Sequence, residues 1–130
     1  MKEMTSEERV ELTQAIIGIL DSWGLRDSEQ IAVLGLPEGT PTRVIRKYRM
    51  DTALPEDPEI DCRIEHIVGI ADALRTTFPM SRNMGIMWMR RRNRKFRQRS
   101  PLDCMVEDGL LGVIQVRSHL DCSYAWRTSA

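Results

Sequence analysis

The chain has 130 residues, 42 % apolar but only 5 % aromatic, and 19 basic side chains balance 19 acidic ones. That length suits one domain or two very small ones, with Leu, Ile, Val and Met filling the core. Three scattered cysteines (Cys62, Cys104, Cys122) speak against a disulfide framework and for a reducing cytoplasm, and two distant histidines exclude zinc-site spacing.

No apolar run approaches a membrane span, and the opening "MKEMTSEERVEL" lacks the apolar stretch of a signal peptide. Charge is uneven along the chain. Residues 1–89 carry 10 basic and 15 acidic side chains, residues 90–99 carry seven basic ones, and residues 100–130 carry 2 basic and 4 acidic. The block from Arg90 to Arg99 is therefore a local positive field in a neutral chain.

Taken in order, the elements read as helices. Thr5 and Glu8 have the spacing of a capping box, Leu12, Ile16, Ile19, Leu20 and Trp23 follow at helical intervals, and Gly24 stands at a C-cap position. A second, short helix starts at Asp27 or Ser28 as N-cap and stops at Gly35. A turn through Pro37 and Gly39 leads to a third, with Thr40 as cap, Pro41 at the first helical position, and Val44, Ile45 and Tyr48 as its apolar stripe. The longest helix starts from Asp57 and Pro58, buries Ile60, Ile64, Ile67, Ala71, Leu74 and Phe78, and ends at Pro79. A helix around Met84–Arg91, the basic loop, a short helix capped by Ser100 with Pro101 first, and a last helix "LLGVIQVRSHL" complete the chain. No convincing alternation marks a strand. The expected fold is all-α, with a helical region over residues 1–79 and a second over 80–130.

Helices two and three have helix-turn-helix proportions. Thr42, Arg43, Arg46 and Lys47 would face outward, with Arg49 just beyond, and such side chains suit phosphates or guanine edges. The same pattern also fits two core helices with a solvated basic face. A nucleic-acid arm would usually sit at a terminus and be longer than the basic block; a charge run is more often a solvated loop, and a docking loop for an acidic protein is the third reading. No phosphate loop, nucleophile elbow or carboxylate–histidine cluster suggests an enzyme, a cofactor or a metal. Cys62 and Cys104 read as small core or near-core residues, and His66 as a surface or half-buried helix residue. Tyr124 and Trp126 near the end of the chain are of the type that anchors interfaces.

The segments "WMRRRNRKFRQRSPLDCM" and "DGLLGVIQVRSHLD" resemble the toxin-binding domain of the Xre/MbcA/ParS antitoxins, which neutralise RES-domain toxins. The pattern falls on Trp88, Met89, Asn93, Ser100, Pro101, Leu102, Gly109, Val113 and Leu120. The N-terminal half looks like that family's degenerate Xre-type helix-turn-helix, with Arg63-Ile64 and Phe78-Pro79 bounding a long helix, so the resemblance spans residues 20–122. Three departures stand out, one of them that the tail "DCSYAWRTSA" lacks the glycine often found after the last helix. Arg92 lies where the family often has proline, and the loop is far more basic than usual. The resemblance implies a cytoplasmic antitoxin, a homodimer that binds a RES-domain toxin and can repress its operon through operator DNA. Its toxin contacts would include Trp88, Asn93, Ser100, Pro101, Leu102, Arg117, Asp121, Tyr124, Trp126 and Arg127, and the basic block would be a docking or structural loop. By analogy the last helix and tail, with Asp121, Tyr124, Trp126 and Arg127, would cover the toxin's cleft.

Overall fold

The computed structural model describes residues 4–129 and, within them, side chains as far as Cys122. Among these residues it is all-helical: α1 (Ser6–Ser22), α2 (Asp27–Leu34), α3 (Val44–Met50), α4 (Pro58–Thr77), α5 (Arg82–Arg90), a 3-10 turn Arg94–Phe96, α6 (Pro101–Glu107) and α7 (Leu110–Ser129). No helix is long and apolar enough to cross a membrane among the described residues.

Local chemistry explains most boundaries. The Thr5 hydroxyl accepts from the Glu8 amide at 3.1 Å, satisfying an orphan donor of α1. Gly24 then takes a left-handed φ of 81°, which ends the helix at no steric cost. Asp57 Oδ1 accepts from the Glu59 amide at 2.8 Å, and Pro58 opens α4. Ser100 and Asp103 cap α6 reciprocally, with the Asp103 amide donating to Ser100 Oγ at 3.0 Å.

Three boundaries depart from the sequence reading. The N-cap of α2 is Arg26, because the Glu29 carboxylate accepts its amide at 2.8 Å while Asp27 turns to Arg49. Helix α3 begins at Val44 and not after a Thr40 cap. The Val44, Ile45 and Arg46 amides donate three residues back, to Pro41, Thr42 and Arg43, so this stretch winds too tightly for an α-helix. The Thr40 hydroxyl meanwhile donates to the Pro37 carbonyl. The α2–α3 connection thus runs over residues 35–43, against roughly three to four residues in a usual helix-turn-helix. Finally, α7 continues past Leu120 to Ser129.

The two halves share one hydrophobic cluster, which runs from Ile16 and Leu20 of α1 through Ile64, Ile67 and Ile70 of α4 to Val113, Val116 and Leu120 of α7. Helix α4 is central, packing on α1, α2, α5 and α7. Helix α6 lies across α7, α5 and α2. The α3–α4 connection is held to α1 from inside. Arg9, 9 % exposed, donates to the Leu54 carbonyl at 3.3 Å, the Pro55 carbonyl at 2.8 Å and Asp61 Oδ1 at 2.8 Å. Beside it, Thr13 Oγ1 accepts from the Leu54 amide at 2.9 Å.

Candidate functional site

The residues that carried the resemblance come together as one structural module. Trp88 leaves α5 and stacks on His119 of α7 with ring centroids 5.8 Å apart and planes 4° from parallel. Phe96, from the 3-10 turn, meets both edge-on, at 6.2 Å from Trp88 and 5.5 Å from His119. These are the separations at which aromatic pairs attract beyond their buried area. Asn93 sets the loop's entry: its Oδ1 accepts from the Lys95 amide at 3.0 Å, and its backbone bridges Arg99. Ser100, Pro101 and Leu102 are buried, seating α6 under the loop. Trp88, Asn93, Ser100, Pro101 and Leu102 therefore build the module from inside.

His119 was not singled out from the sequence. It lies three residues after Val116 and one before Leu120, on the buried face of α7, and that spacing was the available signal. Burial, helped by the nearby positive charge of Lys95, holds its imidazole below the ordinary value near 6.5. The unfolded imidazole takes a proton that the folded one resists. The stack's contribution is complete above about pH 6.5 and declines as the pH falls toward the lowered folded value. The denaturation midpoint should therefore fall as the pH drops below about 6.5. In His119→Phe, which keeps a ring and loses the proton site, that fall should shrink. An equal fall in both proteins would remove His119 as its source.

The basic block divides into two parts. Arg90 and Arg99 are docked on the protein itself. The Arg90 guanidinium lies over Gly24, at the end of α1, where a cation suits the helix dipole, and it draws on the charge of Glu29. Arg99 grips Asp108 with two bonds, of 3.0 and 2.7 Å, and reaches Glu107 at 3.3 Å. That grip holds the Asp108 carboxyl below its usual range. Between the two, Arg91, Arg92, Arg94, Lys95 and Arg97 are exposed, and no ion pair among the described residues includes them. Arg97 and Gln98 both have left-handed backbones, with φ of 57° and 66°.

On α3, Ile45 and Tyr48 are buried, while Arg46 and Lys47, with Thr42 and Arg43 just before the helix, are exposed. Arg49 does not stand free beside them. Its guanidinium binds Asp21 at 2.8 and 2.9 Å and Asp27 at 2.9 Å, tying α3 to the α1–α2 corner, and it keeps the Asp21 carboxyl below its usual range. Arg117 sits in the seam between α7 and α4, over Gly69, with Nη1 3.1 Å from His66 Nδ1 and Nε 3.8 Å from Asp121. Asp121 itself is exposed. The side chains of Tyr124, Trp126 and Arg127 lie outside the described residues. Between α1, α4 and α5 runs a groove of about 420 Å³ whose lining includes Ile19, Trp23, Leu74, Phe78 and Ile86. Among the described residues no cluster of His, Cys, Asp and Glu is arranged to hold a metal ion.

No protein-family model matches the chain. It is 33 % identical over 108 residues to the uncharacterized protein y4oB of Sinorhizobium fredii (strain NBRC 101917 / NGR234), an alignment that covers 83 % of this chain and 80 % of that protein. By that identity and that coverage, the chain belongs to the same family as y4oB of Sinorhizobium fredii.

Proposed function

We propose that the chain is a cytoplasmic antitoxin that binds and sterically inhibits a RES-domain toxin. The observation that carries the reading is that Trp88 and Phe96, from the segment Asn93 helps shape, pack on His119 of α7, while α6, begun by Ser100, Pro101 and Leu102, packs on the same helix. Trp88, Asn93, Ser100, Pro101 and Leu102 are among those the resemblance rests on, and this packing gives α7 a rigid base. Leu120 is the last buried side chain described, and the helical backbone continues to Ser129. A terminal helix that is exposed at Asp121 and Cys122, just after Leu120, is suited to meet another protein's cleft, and inhibition by occupancy requires no chemistry of the antitoxin. A homodimer would strengthen both toxin and operator binding by raising effective concentration.

Deletion from Asp121 onward tests the reading, because the buried positions through Leu120 are retained. Loss of a few interface anchors should weaken toxin binding by about a thousandfold, at about 1.4 kcal/mol per tenfold. The measurements are growth rescue on co-expression and titration of toxin activity with the purified truncation. Unchanged neutralisation by a folded truncation would count against the reading.

A second reading has its own observation: Thr42, Arg43, Arg46 and Lys47 are exposed around the start of α3 while its apolar side is buried. That face suits operator DNA, as a regulatory activity of the antitoxin or as that of a stand-alone regulator. Arg43→Ala, Arg46→Ala and Lys47→Ala combined should abolish operator retardation and leave neutralisation intact.

A further inference from the structure

We propose that the loop between α5 and α6 is a second, sequence-independent contact for the phosphate backbone of duplex DNA, distinct from the α3 face. Five cations, Arg91, Arg92, Arg94, Lys95 and Arg97, crowd into one short exposed loop whose neighbouring cations lie against the protein, Arg90, itself exposed, over Gly24 and Arg99 on Asp108. The loop is built to keep this arrangement. Its ends are bridged, with the Asn93 amide donating to the Arg99 carbonyl at 3.1 Å and the Gln98 amide to the Asn93 carbonyl at 3.1 Å. Phe96 is buried at 5 % exposure and pins the centre. Arg97 and Gln98 occupy left-handed backbone, a conformation unfavourable for residues other than glycine. A disordered basic linker would carry none of these constraints. Here the backbone is held so that the charges point outward at short range from one another, and their mutual repulsion is relieved by an external polyanion.

The chemistry of the loop selects the kind of partner. Protein interfaces need an apolar, desolvated centre, with charge at the rim. From Arg91 to Gln98 the one apolar side chain, Phe96, is turned into the core, so the exposed surface is wholly cationic and polar. Such a surface matches nucleic acid, whose interfaces are polar and strongly positive on the protein side. Four of the five cations are arginine, whose planar fork binds phosphate through two parallel bonds. No exposed aromatic ring is present in the loop for bases to stack on, which favours a duplex backbone over a single strand.

The test uses the full chain and a fluorescein-labelled duplex of random sequence, with anisotropy read across a salt series. Five phosphate contacts give a log–log slope near −4.5, a loss of roughly 500-fold between about 50 and 200 mM salt. Replacing Arg91, Arg92, Arg94, Lys95 and Arg97 together by Gln should flatten the slope by about 4.5, while Arg90 and Arg99 stay to hold the loop. Circular dichroism establishes that the variant is folded. If it is not, the pairs Arg91→Gln with Arg92→Gln and Arg94→Gln with Lys95→Gln, each expected to flatten the slope by nearly 2, replace it. The control is the α3 variant Arg43→Gln, Arg46→Gln, Lys47→Gln, which should keep the loop's share of the slope. Three outcomes overturn the proposal: a parent protein that does not bind the duplex, loop variants whose slope matches the parent's, or tighter binding to poly-glutamate than to duplex of equal charge. The last would assign the loop to an acidic protein. None of these depends on toxin neutralisation, so the loop and the antitoxin reading fail or stand separately.

Discussion

Gly112→Ala should destabilise the protein by about 3 kcal/mol or more, among the largest effects of any single methyl group added to this chain. Gly112 lies in the first turn of α7, against the backbone of α6. A Cβ there would overlap the Cys104 carbonyl oxygen and lie 2.6 Å from its carbon. A flexible side chain could swing aside, but Cys104 is fully buried and its carbonyl accepts the amide of Asp108, at the end of α6. Helices α6 and α7 must therefore separate, which disturbs Met105, Val113 and Val116 in the core and then the His119 stack above them. The contrasting substitution is Gly85→Ala in α5. Its Cβ would meet Phe78 at 3.6 Å and Leu74 at 3.7 Å, ordinary contact distances. There alanine should raise stability by roughly 0.5–1 kcal/mol, through helix propensity alone. Urea denaturation of the two variants beside the parent checks the pair. A Gly112→Ala protein as stable as the parent would mean that α6 can shift without cost.

Arg9→Ala should cost about 2–3 kcal/mol, a fall in melting temperature of about 10 °C. The side chain lies almost wholly inside, and its Nε and Nη2 together reach three acceptors. Removing it strands the Leu54 carbonyl, because Leu54 is 1 % exposed and water does not replace the lost bond. The Pro55 carbonyl and Asp61 are more exposed and regain water, so they add less. The aliphatic stem adds packing against the same connection. Arg9→Met separates the two contributions: it keeps the stem, loses the donors, and should recover only part of the stability. If Arg9→Met melts with the parent, hydrogen bonding to the α3–α4 connection contributes nothing. Locally, loss of the clamp should loosen residues 51–57, which protease susceptibility reads directly.

The helices were legible because their signals are local. Thr5, Asp57 and Ser100 cap their own chains within three residues, Pro58 and Pro101 occupy first turns, and Gly24 and Gly35 end helices with positive φ. The four-and-three spacing of Ile60, Ile64, Ile67 and Leu74 named the buried face of α4 before any contact was known. Where a local signal had a distant competitor, the expectation shifted. Asp27 fits an N-cap, but Arg49, twenty-two residues later in the chain, takes its carboxylate. Thr40 and Pro41 fit a helix start, but the tight bonds to Pro41, Thr42 and Arg43 delay α3 to Val44.

The candidate site shows the same division more sharply. Trp88, Asn93, Ser100, Pro101 and Leu102 could be picked out as a pattern, yet nothing in the pattern says that they support α7 from within. His119 completes the aromatic cluster from thirty-one residues beyond Trp88, and only folding brings the two rings together. The seven cations of residues 90–99 look alike in one dimension. Which of them lie against other parts of the molecule depends on Gly24, Glu29, Glu107 and Asp108, none of which is adjacent in the chain.

Composition, periodicity and caps were thus sufficient for an all-α chain and for the order of its helices, since each is settled by interactions within a turn or two of backbone. The burial of Arg9, the intolerance at Gly112, the lowered proton affinity of His119 and the presentation of the basic loop belong to the assembled molecule. Each of these arises where groups far apart in sequence compete for the same carbonyl, the same space or the same charge, and such competition exists only once the helices have packed.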